Sequence, residues 1–481
     1  MNIKTILKTL GRLLILEAVL MILPIIVSIA YGENISDTLA FLYTIIILLV
    51  IGFSLNSIIQ NLKGVFASEG LVIVILAWIL LSFFGSFPLF IGGSYDGIID
   101  SFFEVSSGFT TTGASVLNDV SNLPYSIIFW KAIIQGIGGM GVLVFALAIL
   151  PSVSKEDVHL MKAEVPGPVF GKFVSRLSDT ARILYKIYIS FIVLLIIALV
   201  IAGMPIFDSI VHALETAGTG GFSVRNGSIE FYNNEAIEYI IGIAMLVFSV
   251  NFSLYHLILI GKTKEFFKSE ELKWFLSIVF IAIVLLTINL YSIYGLKDSI
   301  RYAFFQVSTI ISTTGFTSAD YGTWPVFSQT ILIILMIIGG MSGSTAGGIK
   351  VSRLATVVKS SINEIKQSNN PKRVLQLKFE GKVINNDYIK TISNYLTLYT
   401  IIFVFLLLCV SFDLNDFSSS FSAVAATFNN IGPGVGLVGP TESFGILSDY
   451  NKVLLSLAMI AGRLEIIPMV VLFSIDTWKK V

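Results

Sequence analysis

Phe102-Phe103-Glu104-Val105-Ser106-Ser107 leads into Thr110-Thr111-Thr112-Gly113, and the phrase returns as Phe304-Phe305-Gln306-Val307-Ser308-Thr309 before Ser312-Thr313-Thr314-Gly315. Counted back from each glycine, Phe102 matches Phe304 and Val105 matches Val307. Two fainter copies end at Gly221, in Thr219-Gly220-Gly221-Phe222, and at Gly432, in Asn430-Ile431-Gly432-Pro433. Their matching positions hold Ile210 and Ala213, and Phe421 and Val424. The four glycines are 108, 94 and 117 residues apart. Taken singly, a Thr-Thr-Gly segment reads as an ordinary helix stop or a tight turn. Four copies at matched offsets, each behind a short amphipathic segment, read instead as four re-entrant loops with their glycine turns set around one axis.

The medium in which such loops would sit follows from composition. Of 481 residues, 55% are hydrophobic and only 13% charged, and mean hydropathy is +0.87. Soluble domains carry about 25% charged residues, so the chain reads as an integral membrane protein. Its apolar stretches are mostly long enough to cross a hydrocarbon core of about 30 Å as helices, whereas barrel strands would read as alternating segments of about ten residues. Lys plus Arg equal Asp plus Glu at 31 each, so net charge points to no acidic or basic partner, nucleic acid included. The single Cys409 excludes an internal disulfide. The first apolar stretch, from about Leu13 to Tyr31, follows Lys4, Lys8 and Arg12 but lacks a small-residue cleavage site; it reads as a retained helix.

The expected architecture is all-α: an N-terminal transmembrane hairpin (1–61) and four pore repeats (62–165, 166–262, 263–370 and 371–481), each an outer helix, a short pore helix and an inner helix, in a pseudo-fourfold arrangement. The short helices are expected near 98–109, 206–217, 299–311 and 416–428, each followed by a single inner helix, at 124–151, 236–260, 326–358 and 447–476. Helices this short cannot span and must dip in and return, and non-helical backbone at that depth persists only where protein or water satisfies it. The connections 152–180, 261–274 and 359–388 are rich in Lys and Arg and read as cytoplasmic. Segments 93–130 and 412–450 contain neither, yet hold Asp96, Asp100, Glu104, Asp119, Asp413, Asp416, Glu442 and Asp449. The glycine turns therefore face an acidic outer vestibule, and both termini are cytoplasmic. Such a mouth concentrates cations.

A helix before each glycine points its partially negative end at the axis. Backbone carbonyls of Thr111, Thr112 and Gly113, of Thr219, Gly220 and Gly221, of Thr313, Thr314 and Gly315, and of Asn430, Ile431 and Gly432 can then replace a cation's hydration shell. Glycine suits backbone angles that other residues avoid.

The chain resembles the Trk/Ktr superfamily of potassium transporters, in particular the Trk-type membrane subunit. The motifs that carry the resemblance run along nearly the whole sequence: Thr110 to Ser115, Gln135 to Gly141, Glu164 to Pro168, Asp179 to Arg182, Gly339 to Lys350 and Gly462 to Ile466. The resemblance implies potassium as the transported ion, a homodimer with one pore per protomer in a prokaryotic plasma membrane, and a cytoplasmic regulatory ring subunit that binds NAD(H) or ATP/ADP. Unlike the Thr-Val-Gly-Tyr-Gly of potassium channels, each turn shares a single glycine, which predicts weaker exclusion of Na+.

The segment Gly339-Gly340-Met341-Ser342-Gly343-Ser344-Thr345-Ala346-Gly347-Gly348 interrupts an inner helix with residues that cannot keep it stiff, each glycine costing about 1 kcal/mol relative to alanine. It reads as a flexible intramembrane loop or as small-residue helix packing, and the family resemblance favours a gate. Arg463 lies about halfway along the last inner helix, where a charge normally faces a cavity. It reads as a pore-facing barrier, which the resemblance supports, or as the partner of a carboxylate on a neighbouring helix. Lys350 is expected to pair within the gate or to snorkel, and Lys131 to snorkel. Gly136-x-Gly138-x-x-Gly141 echoes a dinucleotide fingerprint but lies in an apolar span rather than after a strand, and Gly343 to Lys350 echoes a phosphate loop but has Ile349 before Lys350 and Val351 in the Ser/Thr position, so no organic cofactor is expected on this chain. His159, His212 and His256 form no metal or catalytic pattern, so an enzyme is not expected. The rival reading is a secondary transporter, Na+-coupled, of another cation or small solute. Such folds show inverted repeats, whereas these four units run in one sense.

Overall fold

The computed structural model describes residues 3–57, 67–141, 177–370 and 375–473. Most of the basic connection 152–180, the Glu164 to Pro168 motif, Lys372 and Arg373 lie outside the described residues.

Helices α1 (Ile3–Leu20) and α2 (Ile22–Tyr31) form one apolar run that α3 (Ile35–Ser57) folds back upon. They cross at glycines: a Cβ on Gly11 would stand 2.9 Å from the Gly52 carbonyl oxygen, and one on Gly52 equally close to that of Gly11. Small residues permit such close approach in membrane helices.

The four units then follow in order. The first has α4 (Ala67–Gly85), the short α5 (Phe87–Ile91), α6 (Ile98–Phe109) and α7 (Tyr125–Gly139); the second has α8 (Leu177–Ile201), α9 (Ile206–Gly218), α10 (Glu235–Phe248) and α11 (Phe252–Leu259). After the surface helix α12 (Thr263–Lys268), the third has α13 (Glu270–Ile311), α14 (Val326–Ile338) and α15 (Val351–Asn369). A two-stranded hairpin, β1 (Lys378–Phe379) and β2 (Lys382–Val383), precedes the fourth unit: α16 (Asn386–Val410), α17 (Phe417–Phe428), α18 (Asp449–Arg463) and α19 (Ile467–Phe473). Among the described residues six helices are long and apolar enough to cross a membrane, or seven if the bent pair α10–α11 is one span. Outward stripes of large apolar side chains, such as Phe280, Ile281 and Ile288 on α13, suit lipid rather than water.

The short helices are where the sequence predicts them. Both α6 and α17 have 12 residues and α9 has 13, so each is only about 18–20 Å long at 1.5 Å per residue. In the third unit, α13 breaks at Gly295, whose φ of 71° and ψ of 177° end the outer helix and let the remaining segment turn inward.

The inner helices expected at 236–260 and 447–476 are each broken, and residues 142–151 of the one expected at 124–151 lie outside the described residues. A bend of 91° separates α10 from α11, and Asn251 restarts the chain by accepting the Ser253 N–H. Helix α7 ends at Gly139, with Gly141 left-handed at φ 77°. The last inner helix breaks between α18 and α19, where Glu465 and Ile466 hold φ of 60° and 65°. The third is interrupted by the whole glycine-rich segment. Residues at all four breaks, Gly141, Phe252, Gly343 and Glu465 among them, line one cavity.

Candidate functional site

Each short helix ends in the same pair of hydrogen bonds. In the first, Thr111 N–H donates to the Gly108 carbonyl at 3.0 Å and Thr112 N–H to that of Ser107 at 2.8 Å. The second pairs Thr219 with Thr216 (3.2 Å) and Gly220 with Glu215 (2.9 Å); the third, Thr313 with Ile310 (3.0 Å) and Thr314 with Thr309 (2.9 Å). The fourth pairs Asn430 with Thr427 (3.2 Å) and Ile431 with Ala426 (2.9 Å). This is a helix stop built on a left-handed residue. It falls on Thr111, Thr219, Thr313 and Asn430, with φ of 55°, 59°, 56° and 58°. The glycine two places later is left-handed again, at 77°, 81°, 89° and 94° for Gly113, Gly221, Gly315 and Gly432. The helix stop is thus the same device in all four copies. A β-branched threonine at positive φ is strained, and such strain concentrates at functional sites.

The four turns touch in cyclic order. A Cβ on Gly113 would collide with the carbonyl oxygen of Gly220, one on Gly221 with that of Thr314, and one on Gly315 with that of Ile431. The circle closes where a Cβ on Gly432 would stand 2.8 Å from the Thr112 carbonyl oxygen. Thr112 Oγ1 also accepts from Asn430 Nδ2 at 2.9 Å, tying the fourth turn to the first. Thr111, Thr112, Thr219, Thr313, Thr314, Asn430 and Ile431 are all buried. On one side of the ring lies a cavity of about 280 Å³ that touches all four glycines. Its wall is mixed rather than purely acidic: Glu230, Asp320 and Glu442 share it with Lys131 and Arg225. Both basic groups face a carboxylate, Lys131 pairing with Glu104 and Arg225 lying 3.4 Å from Asp208.

On the other side lies the glycine-rich segment, residues 339–350. Gly347 N–H donates to Thr313 Oγ1 at 2.6 Å, and a Cβ on Gly347 would collide with the Asn429 carbonyl. Thr219 Oγ1 donates to the Thr345 carbonyl at 3.1 Å, and Thr345 Oγ1 to that of Phe248 at 3.1 Å. Gly339 packs on Gly347 and Gly348, Gly340 on Ala346, and Gly343 on Asn251, whose Oδ1 would lie 3.0 Å from an added Cβ. Ser344 Oγ donates to the Met341 carbonyl at 2.6 Å, and Ser342 N–H to Glu271 Oε1 at 2.7 Å. The segment is an ordered loop pressed against three of the four turns. Lys350 is buried at its end, with φ of 82°, and its ammonium donates to the Ala346 carbonyl.

Arg463 joins this loop to the first unit. Its guanidinium donates to the Thr345 carbonyl at 2.6 Å and to those of Gly138 and Gly139 at 2.8 and 2.6 Å. The last two are terminal carbonyls of α7, at the partially negative end of the helix, and that of Gly138 also accepts Gly141 N–H at 3.0 Å. The carboxylate beside it in sequence, Glu465, pairs with Arg353 instead. Arg463 also lines a smaller cavity of about 80 Å³ shared with Gly347, Gly348 and Lys350.

Lys131 does not snorkel. It is 4% exposed, ion-paired to Glu104, and its Nζ lies 3.8 Å from the centre of the Phe222 ring. A lysine in an apolar helix less than thirty residues after a glutamate was the signal, since buried charges at such depth are paired. Glu215 and Gln135 were also missed: both are buried, Glu215 accepts from Phe222 N–H at 3.1 Å, and Gln135 packs against Gly220. Of the dinucleotide-like glycines, Gly136 packs on Leu214, whose Cδ2 would lie 3.0 Å from an added Cβ, and Gly138 on the Phe109 carbonyl.

Fold and site together define a multi-pass helical membrane protein in which four short helices end in like turns. Residues 37–479 match the family model of TrkH, described as a cation transport protein. The chain is 35% identical to the Trk system potassium uptake protein TrkG of Escherichia coli (strain K12), covering 98% of this chain and 97% of that one. It is 34% identical to the Trk system potassium uptake protein TrkH of Salmonella typhimurium, over the full length of both. The crystal structure of the potassium transporter TrkH from Vibrio parahaemolyticus superposes with a TM-score of 0.89, at 31% identity and full coverage of both chains. The chain belongs to the TrkH family of cation transport proteins.

Proposed function

We propose that the chain is the membrane subunit of a potassium uptake system and that K+ crosses between the four turns. The observation that carries this reading is the closed cycle of four like turns under one cavity touching every glycine. In each turn left-handed residues flank one that is not left-handed, namely Thr112, Gly220, Thr314 or Ile431. That alternation turns successive carbonyls to one side of the strand, where they can coordinate an ion that has shed its water. The helix ends behind the turns add negative potential. The four repeats then stand in pseudo-fourfold relation, as in a potassium channel, and one shared glycine position, in place of Thr-Val-Gly-Tyr-Gly, makes Na+ exclusion less strict than in one.

The 339–348 segment is the gate in this reading, with Lys350 closing it and Arg463 latching it shut. Arg463 serves twice in this reading: its fixed charge is a barrier to cations below the turns, and its bonds to three carbonyls latch the loop. The relatives' names as Trk system proteins support a cytoplasmic regulatory subunit, which binds NAD(H) or ATP/ADP against the basic face. A homodimer in the plasma membrane with both termini cytoplasmic completes the proposal. Uptake of radioactive rubidium into proteoliposomes tests it: K+ should compete, whereas an organic solute should not. Rubidium uptake no faster than in empty vesicles would overturn it.

A further inference from the structure

The stop motif pins each turn only on its helix side. The strand that climbs away after the glycine makes no helical bonds, and a side chain from the preceding short helix holds it in every unit. Glu104, nine positions before Gly113, accepts from Ser115 Oγ at 2.9 Å and from Val116 N–H at 3.1 Å. His212, nine before Gly221, contacts Ser223 Oγ at 3.2 Å through Nε2, while Nδ1 lies 2.7 Å from the Asp208 carbonyl. A carbonyl only accepts, so Nδ1 carries the proton and Nε2 accepts the Ser223 hydroxyl. Gln306, nine before Gly315, donates to the Ala319 carbonyl at 3.2 Å. In the fourth unit that position is Ala423, and the neighbouring Ser422 does the work: its hydroxyl donates to the Val435 carbonyl and accepts Val435 N–H, both at 2.9 Å.

Four different side chains, nine or ten positions before the glycine, thus each hold a residue two to four positions after it. We infer that Glu104, His212, Gln306 and Ser422 are positioning residues that fix the outer strand of each turn and thereby set how strictly the ring discriminates K+ from Na+. The inference rests on the filter reading above. A carbonyl ring that can contract coordinates the smaller Na+ as readily as K+; one held at its outer rim cannot. Lys131 belongs to the first brace. It neutralises Glu104 and lies over Phe222, the residue after Gly221, so it also ties the first turn to the second.

The test compares two neutral double variants that differ only in the brace, in reconstituted full-length protein. Glu104→Gln with Lys131→Met keeps an acceptor for Ser115 and Val116; Glu104→Met with Lys131→Met has the same bulk and no acceptor. The readout is the K+/Na+ permeability ratio from the reversal potential, which does not depend on how much protein folds. The Met/Met variant should lose about fivefold in that ratio, the factor equivalent to the roughly 1 kcal/mol net worth of a hydrogen bond, and the Gln/Met variant should recover most of the loss. Gln306→Met and Ser422→Ala should show the same loss, and they decide the matter should the Met/Met protein not fold. Parental ratios in every brace variant, alongside a lowered ratio in Gly315→Ser, would overturn the inference and leave the filter reading standing. A parental ratio in Gly315→Ser itself would bring down the filter reading and the inference together.

Discussion

Replacing Arg463 by alanine removes the three hydrogen bonds that hold the 339–350 loop to the end of α7. Bonds from a charged donor are worth about 1.5–3 kcal/mol each. Of these three, the bond to Thr345 reaches the loop, so it exists in the closed arrangement and not in an open one. Losing about 2 kcal/mol there shifts the balance between the two about thirtyfold. While the open form remains the minority, flux rises by up to that factor. Arg463→Lys should fall between, since one ammonium cannot replace a planar fork that reaches three carbonyls. The assay is rubidium uptake per folded molecule, with thermal unfolding measured on the same preparations. A destabilised Arg463→Ala protein with parental flux per folded molecule would refute the latch and make Arg463 a structural pin.

Deleting Ser342 to Ala346 removes Thr345 with its bonds to Thr219, Phe248 and Arg463; flux should increase while the preference for K+ persists, and a folded deletion protein that conducts no faster would contradict the gate. Lys131→Met alone leaves Glu104 buried without its cation, so unfolding free energy should drop by about 3–5 kcal/mol, and a melting temperature equal to the parent's would argue against that pairing. Outside the membrane, hydrogen bonds from Asn226 and then from Ser121 hold the Asp119 carboxyl below the usual carboxylate range. Its stabilising contribution is therefore present above the unfolded pKa of about 4 and fades as pH falls through the lower folded value. The difference in melting temperature between the parent and Asn226→Ala should accordingly shrink on acidification below pH about 4, whereas a difference that grew would reverse the assigned sign.

The short helices and turns were legible because two independent signals coincide in them: a helix too short to span, and a repeated polar phrase that ends in glycine. Which residue would be left-handed was not. Thr111, Thr219 and Thr313 take angles that threonine avoids, imposed by the cyclic contacts with neighbouring turns rather than by local preference. The breaks in the inner helices divide the same way. Asn251 announces a new helix start in an apolar run, since asparagine is a good cap. Nothing local announces left-handed backbone at Ile466, a β-branched residue. Lys131 was misplaced because helix position alone was weighed, while its partner Glu104 lies one turn and one connection away in the chain. The loop at 339–350 was visible from glycine density, but its anchors on Glu271, Thr313 and Arg463 come from residues distant in sequence that only the fold assembles.

The central claim is that the four turns form one potassium filter, and the reversal potential under opposed K+ and Na+ gradients tests it most directly. Gly113→Ser, Gly221→Ser, Gly315→Ser and Gly432→Ser each put a side chain against the carbonyl of the adjoining turn, at a φ that serine disfavours. The parent should reverse on the K+ side, and every variant that folds should move toward Na+. Four folded variants that reverse where the parent does would contradict the account.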